Sequence, residues 1–304
     1  MLETKRYWLF PLLIIAFAGF ALTFSSTGKV GGAYIESNPA LPLAPDRVVL
    51  IPQKSELAGE PVMSARAVLA KDINSDLLLF EKNGETVLPI ASLTKLLTAL
   101  LIYKKTGLSG AVTVEDSDVG VLPFTADLVP GERLRVDELV NVMLVASAND
   151  AAIVLARGAS GSVESFVLEM NELAQELGMT SSSFTNPVGF DDPNHYSTAE
   201  DLTHLIDEFL GVPELRSMVA KKEVSLPPLA NGKARVFNNT NDLLDFDERI
   251  KGVKTGYTES SRGSLIVLVD DPTHPYYLAV IGSQNREEEA RKLIQWIEGS
   301  YQWE

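Results

Sequence analysis

The sequence contains no cysteine, which excludes disulfides and a catalytic thiol. Histidine is nearly as scarce. Only His195, His204 and His274 occur, and no two stand at the close helical spacing of a zinc site. A metal-dependent enzyme is therefore not expected, and a histidine general base has few candidates. Positive charge is in deficit: 26 Lys and Arg face 41 Asp and Glu, for a formal net charge of -15. That field disfavours nucleic acid, whose phosphates need a basic surface; its plain alternative role is solubility. No internal repeat runs through the 304 residues.

The features that are present begin at the N-terminus. Lys5 and Arg6 precede an apolar run over 7–24, flanked by Tyr7 and Trp8. Eighteen residues is short for a membrane span but sufficient with interfacial aromatics. The cations place 1–6 on the cytoplasmic side and the rest outside. The run reads equally as a cleaved signal peptide, with Ala16-Phe17-Ala18 as an A-x-A set deep within it. Either way the bulk of the chain is expected to be exported. Residues 25–60 carry Pro39, Pro42, Pro45 and Pro52 without a sustained period and read as a tether. The folded domain is expected over 61–304.

Within that domain, Ala65 to Ala70 and Leu77 to Phe80, split by Asn74-Ser75-Asp76, predict a hairpin. From Ser92 to Lys105 leucines recur at 3–4 spacing until Gly107, which predicts a helix. A second helical region, Val136 to Arg157, is broken around Ser147-Ala148-Asn149-Asp150. A third covers Val163 to Leu177 before Gly178. A fourth covers Thr198 to Leu210, capped by Ser197 or Thr198. Lys251 to Lys254, Leu265 to Val269 and Tyr277 to Ile281 are strand-like, and Glu287 to Glu298 closes the chain as an amphipathic helix. Strands at both ends with helices between predict an α+β domain: one sheet built from both termini, with an inserted helical region and a cleft at the seam.

Three short motifs stand in order along the domain: Ser92-Leu93-Thr94-Lys95, Ser147-Ala148-Asn149 and Lys254-Thr255-Gly256. Each has a decoy in the same chain, namely Ser26-Thr27-Gly28-Lys29, Ser283-Gln284-Asn285 and Lys105-Thr106-Gly107. The surroundings separate copy from decoy. Ser26 lies in the tether. Lys105-Thr106-Gly107 is an ordinary helix C-terminus. Ser283 to Asn285 joins a strand to a helix, where caps are expected.

Ser92, by contrast, sits at a helix start with Lys95 on the same face. Free backbone N–H groups there favour an alkoxide and an oxyanion. The leucines around Lys95 desolvate its ammonium and lower its pKa, as a general base requires. Lys254 on a strand at a cleft edge suits an anionic substrate end. Gly256 lets a substrate backbone approach. Ser147 is suited to relaying a proton and the Asn149 amide to holding a carbonyl. The bland alternatives are an N-cap Ser92 with a snorkelling Lys95, a capping Ser147 or Asn149, and a charge-blunted edge strand at Lys254.

With these residues in view, the chain resembles the low-molecular-mass penicillin-binding proteins, the S11 family of D-alanyl-D-alanine carboxypeptidases. The resemblance spans about Ser64 to Trp296. It includes Pro89-Ile90-Ala91-Ser92-Leu93-Thr94-Lys95, Leu177-Gly178-Met179, Asn186-Pro187-Val188-Gly189, His195 to Leu202, and Gly282-Ser283-Gln284-Asn285-Arg286. It implies a β-lactamase/transpeptidase-like fold, a mainly antiparallel sheet flanked by helices, with no cofactor. Ser92 would be the acylated nucleophile and Lys95 its base. Ser147 would pass the proton to the leaving group, and Asn149 would orient Lys95 and the substrate. Lys254 and Thr255 would bind the terminal carboxylate, with the backbone N–H groups of Ser92 and Tyr257 as oxyanion hole.

His195 would have a loop-ordering role. The implied partners are peptidoglycan stem peptides, β-lactams as inhibitors, and the membrane through the N-terminal segment. The chain ends 48 residues after Gly256, so it resembles the short members without a C-terminal β domain. Some of those are endopeptidases on cross-links, which keeps that activity open beside carboxypeptidase. A class A β-lactamase shares the motifs, but no E-x-x-L-N occurs and the Asn186 to His195 loop has no glutamate. An inactive binding module is the remaining alternative.

Overall fold

The computed structural model describes residues 49–55, 59–120 and 123–304. The expected cytoplasmic and membrane segments, 1–24, and most of the expected tether lie outside those residues. Among the described residues no single helix is long and apolar enough to cross a membrane.

The chain begins with β1 (Pro52–Lys54), β2 (Ala67–Asp72) and β3 (Leu78–Lys82), then enters a helical region. That region holds α1 (Thr94–Thr106), a small ladder of β4 (Ala111–Thr113) and β5 (Arg133–Arg135), and the helices α2 (Val136–Val145), α3 (Asn149–Ser160), α4 (Val163–Glu176), α5 (Ala199–Leu210) and α6 (Pro213–Val219). A hairpin of β6 (Glu223–Leu226) and β7 (Arg235–Asn238) follows. The chain then returns through β8 (Ile250–Thr258), β9 (Arg262–Val269), β10 (Tyr276–Ser283), α7 (Arg286–Ser300) and β11 (Tyr301–Trp303).

Five strands form one antiparallel sheet in the order β3-β2-β10-β9-β8. Two come from the N-terminal side and three from the C-terminal side, as the strand-helix-strand pattern predicts. Successive side chains on these strands point to opposite faces. Leu69, Ile266, Leu268 and Ala279 face the helical cluster, whereas Val68, Val267, Val269 and Val280 face the cluster under α7. Burial on both faces explains why β9 and β10 read as unbroken apolar runs.

The helix starts and stops follow local chemistry. Gly107 ends α1 in the left-handed region, and the Thr198 hydroxyl accepts from the Asp201 N–H to cap α5. The hairpin turn between β2 and β3 is tied by the Ser75 N–H and hydroxyl donating to Asp72. Lys95 to Leu100 are fully buried, so α1 is enclosed on all sides over its first turns and reaches solvent only in its last, at Lys104 and Lys105. Truncating one of its leucines to alanine removes packing of about 2–5 kcal/mol.

The span 25–60, expected to be tether throughout, contains a strand: β1 pairs with β11, Pro52 opposite Trp303. Its three residues are too short for a period to show, and so are β4 and β5. Also unexpected are α6, of seven residues, and the β6–β7 hairpin, whose strands have four residues each and are joined by a loop holding Pro227, Pro228 and Gly232. β8 extends beyond Lys254 through Gly256 to Thr258, so the whole third motif lies on one strand.

Candidate active site

The three motifs meet where α1, the α2–α3 break and β8 converge. Ser92 lies in a short 3-10 turn, Ala91–Leu93, ahead of α1. Neither that turn nor α1 has a side-chain cap, so the hydroxyl of Ser92 is not used as one. Instead Lys95 Nζ lies 2.9 Å from Ser92 Oγ. The same nitrogen donates to Asn149 Oδ1 at 2.7 Å and to the Val188 carbonyl at 2.8 Å.

The orientation of Asn149 is set independently. Its Nδ2 donates to the Pro123 carbonyl at 2.7 Å, which leaves Oδ1 for the lysine. Its backbone N–H donates to the Phe124 carbonyl. The N-cap of α3 is Ala148, which has no side-chain bond, so the capping alternative for this motif also fails.

Lys95 is completely buried, and its pKa is held well below the ordinary lysine range, first by desolvation and then by the charge of Lys254. An amine in its neutral form has two N–H groups and one lone pair. Two of the three contacts, Asn149 Oδ1 and Val188 O, can only accept. They take both N–H groups, and the lone pair is left facing the Ser92 hydroxyl. That is the arrangement a general base needs.

Ser147 stands at φ +60 in the break between α2 and α3 and is mostly buried. Among the described residues its hydroxyl makes no hydrogen bond, so the structure does not join it to the Ser92–Lys95–Asn149 chain.

On β8, Lys254 is buried and its pKa falls to about 7, by desolvation first and by the charge of Arg286 second. Among the described residues its Nζ donates only to the neighbouring Thr255 carbonyl, at 3.1 Å. Thr255 Oγ1 lies 2.5 Å from Thr240 Oγ1. A Cβ at Gly256 would fall 3.1 Å from Ser92 N, Ile90 O and Ala91 Cβ, so its missing side chain lets β8 lie against the turn that carries Ser92. The Tyr257 ring is 63% exposed beside it, on the sheet's edge strand.

Several contributors are not among the motif residues. Thr94 and Thr98, buried on α1 beside Lys95, fasten the loop 185–195, with Thr98 donating to the Pro187 carbonyl at 2.8 Å and Thr94 meeting His195 Nε2 at 2.7 Å. Asp150 accepts from the N–H groups of Ala126, Leu128 and Ala151, and burial raises its pKa. It thereby ties the 126–128 loop to the start of α3. Arg286 donates to the Gly256 carbonyl at 2.8 Å. The helical spacing of Thr94 and Thr98 on the face of Lys95 was the one available sequence signal; the others depend on tertiary contact.

His195 is buried, with its pKa lowered to about 4 by burial. Among the described residues no group of three metal-binding side chains gathers. Both nearby decoys are plain caps: Gly107 N–H donates to Tyr103 O, and Asn285 Oδ1 accepts from the Glu288 N–H.

The sequence model of the peptidase S11 family, D-alanyl-D-alanine carboxypeptidase, matches residues 54–285. The D-alanyl-D-alanine carboxypeptidase DacF of Bacillus subtilis is 30% identical over 252 residues, covering 81% of this chain and 64% of the relative. The chain thus spans a little under two thirds of that relative's length. A D-alanyl-D-alanine endopeptidase of Pseudomonas aeruginosa is 28% identical, with 81% of each chain covered. The crystal structure of the Streptomyces K15 DD-transpeptidase superposes with a TM-score of 0.74 at 25% identity, over 79% of this chain and 99% of that one. The protein belongs to the peptidase S11 family, the D-alanyl-D-alanine carboxypeptidases.

Proposed function

We propose that this protein is an exported serine D-Ala-D-Ala carboxypeptidase that acts on peptidoglycan stem peptides and binds β-lactams. The observation that carries the reading is the Ser92–Lys95 pair: a buried amine whose two N–H groups are occupied and whose lone pair meets the serine hydroxyl at 2.9 Å.

In the proposed mechanism each residue takes the role that the family resemblance implies. Ser92 Oγ attacks the carbonyl carbon of the penultimate D-alanine while Lys95 takes the hydroxyl proton. The oxyanion is received by the backbone N–H groups of Ser92 and Tyr257. The tetrahedral centre collapses, the C–N bond breaks, and D-alanine leaves as the proton held by Lys95 passes to its amine by way of Ser147. Water then attacks the ester carbonyl while Lys95 takes its proton; the ester C–O bond breaks and Lys95 returns that proton to Ser92 Oγ. Lys254, Thr255 and the positive field of Arg286 hold the terminal carboxylate, whose arrival supplies the anion that Lys254 lacks. A β-lactam follows the same first step, with its ring C–N bond in place of the peptide.

Supporting the family reading over a β-lactamase, the loop 186–195 contains no carboxylate that reaches the Ser92–Lys95 pair; Asp191 instead accepts from the Thr258 hydroxyl at 2.7 Å. An acyl-enzyme should therefore persist. Endopeptidase cleavage of cross-links is the second reading, because relatives with either activity in their names match at 28–30% identity. The membrane segment over 7–24, as anchor or cleaved signal, would keep the domain outside the cytoplasm.

Intact mass spectrometry after benzylpenicillin tests the main reading. A stable penicilloyl adduct mapping to Ser92, lost in Ser92→Ala, is expected; a folded protein that takes no adduct contradicts it. Incubation with pentapeptide and with cross-linked dimer muropeptides separates the two activities. The mass of protein purified from membranes reports whether 1–24 is retained.

A further inference from the structure

The loop 185–195 ends in a histidine that the chemistry above does not use. His195 has a donor–acceptor order that its neighbours determine. The Thr185 backbone N–H donates to Nδ1 at 3.1 Å, so Nδ1 is the acceptor and the ring proton sits on Nε2. Nε2 lies 2.7 Å from Thr94 Oγ1 and donates to it. The Thr94 hydroxyl proton is then directed to the Ala91 carbonyl, at 2.8 Å. The chain runs Thr185 to His195 to Thr94 to Ala91, and every step has one direction.

The end point of this relay is the backbone immediately before the nucleophile. Ala91 is at φ +50, a left-handed conformation that a non-glycine residue keeps only where its surroundings enforce it. The Ala91 carbonyl is also pressed by the same loop from another side. Gly189, at φ +91, is so close that a Cβ there would lie 1.9 Å from Ala91 O. The loop meanwhile supplies the Val188 carbonyl to Lys95, and Asn186 Oδ1 holds the N–H groups of Val188, Gly189 and Phe190.

We infer that His195 and Thr94 are positioning residues for acylation: together they fix the Ala91–Ser92 peptide, and so the Ser92 N–H and Oγ, to the loop that orients Lys95. The inference rests on the proposed acylation of Ser92. It extends the role of His195 from ordering a loop to setting the nucleophile. No proton is exchanged with substrate along the relay; its effect is geometric. Displacements of about 1 Å at such a site cost on the order of 100-fold in rate.

The test compares Thr94→Val, which keeps shape and removes the hydroxyl, with Thr94→Ser, which keeps the hydroxyl. The second-order rate of penicillin acylation, per folded molecule by near-UV circular dichroism, should fall about 10- to 100-fold in Thr94→Val. It should stay within about threefold of wild type in Thr94→Ser. For the peptide substrate the loss should appear in kcat with KM little changed, a split that a merely structural defect would not produce.

Wild-type rates in Thr94→Val, or equal losses in both variants, overturn the inference. Should Thr94→Val not fold, His195→Gln and His195→Leu carry the same comparison. Gln retains an N–H for Thr94 and should keep most of the rate; equal rates in the two contradict the relay. A wild-type protein that forms no penicilloyl adduct defeats the proposed function instead, which separates the two failures.

Discussion

Lys95 at the start of α1 and Lys254 midway along β8 are both buried from water, and burial lowers the pKa of each. Their nitrogens are nevertheless equipped differently. Among the described residues Lys95 meets Ser92, Asn149 and Val188, whereas Lys254 meets only the carbonyl next to it in the chain. A cation acts on each: Lys254 on Lys95, and Arg286 on Lys254. The helix start thus holds a lysine whose hydrogen-bonding capacity is complete in the neutral form. The strand holds one that is short of an anion. The difference supports the proposed roles: a base is complete before substrate arrives, and a carboxylate receptor is completed by it.

The contrast is broken most severely at the helix start. Lys95→Met should lower penicillin acylation by about 10²–10⁴, the usual span for loss of a positioned general base. Stopped-flow acylation with a fluorescent penicillin would measure it.

Lys254→Met should weaken binding while burial, the larger cause, still keeps the Lys95 pKa low. A roughly 10- to 100-fold rise in KM for a carboxylate-ended peptide is expected, the value of a hydrogen bond to a charged group. The pH profile sharpens the point. Lys254 binds the carboxylate in its charged form, so kcat/KM for that peptide should fall as pH rises through about 7. A C-terminal amide analogue should lack this descending limb.

The same substitution should stabilise the fold. The folded pKa of Lys254 is about 7, below its unfolded value, so the folded chain binds fewer protons over the window between. Stability is lowest below that window and recovers as pH rises through it. Lys254→Met should raise Tm by about 4 °C or more at pH 7, with the gain shrinking toward pH 10. Scanning calorimetry at both pH values would show it.

The smallest effect is expected at Thr240, whose hydroxyl touches Thr255. Thr240→Val should raise KM only about threefold, consistent with one neutral hydrogen bond, as steady-state D-alanine release would report.

Legibility in the sequence divides along the same line. The sheet from both termini, the helices other than α6, and the motif lysines were readable because they rest on period, caps and burial by neighbours close in sequence. Ser92 and Lys95 are three residues apart on one element, so their meeting could be read directly. The partners of Lys95 at Val188 and Asn149, the Thr240 contact and Arg286 beside Gly256 lie 30 or more residues away in all but the Thr240 case. Only the fold brings them in.

The close fit of Gly256 against Ser92 had no local signature either, since a glycine in a strand is equally consistent with a ligand or with another backbone. Strands of three residues such as β1 and β4 carry too few side chains to show alternation.

The central claim is that two buried lysines divide the chemistry, one a neutral base and one a cation receptor. A titration followed by nuclear magnetic resonance on protein with ε-¹³C lysine measures it most directly, with Lys95→Met and Lys254→Met assigning the signals. Two lysines should titrate far below the rest. Saturation with a carboxylate-ended peptide, in Ser92→Ala to prevent turnover, should raise the pKa of Lys254 while Lys95 stays low. Two lysines titrating with the surface lysines near 10.4, or an unmoved Lys254 in the complex, would contradict the account.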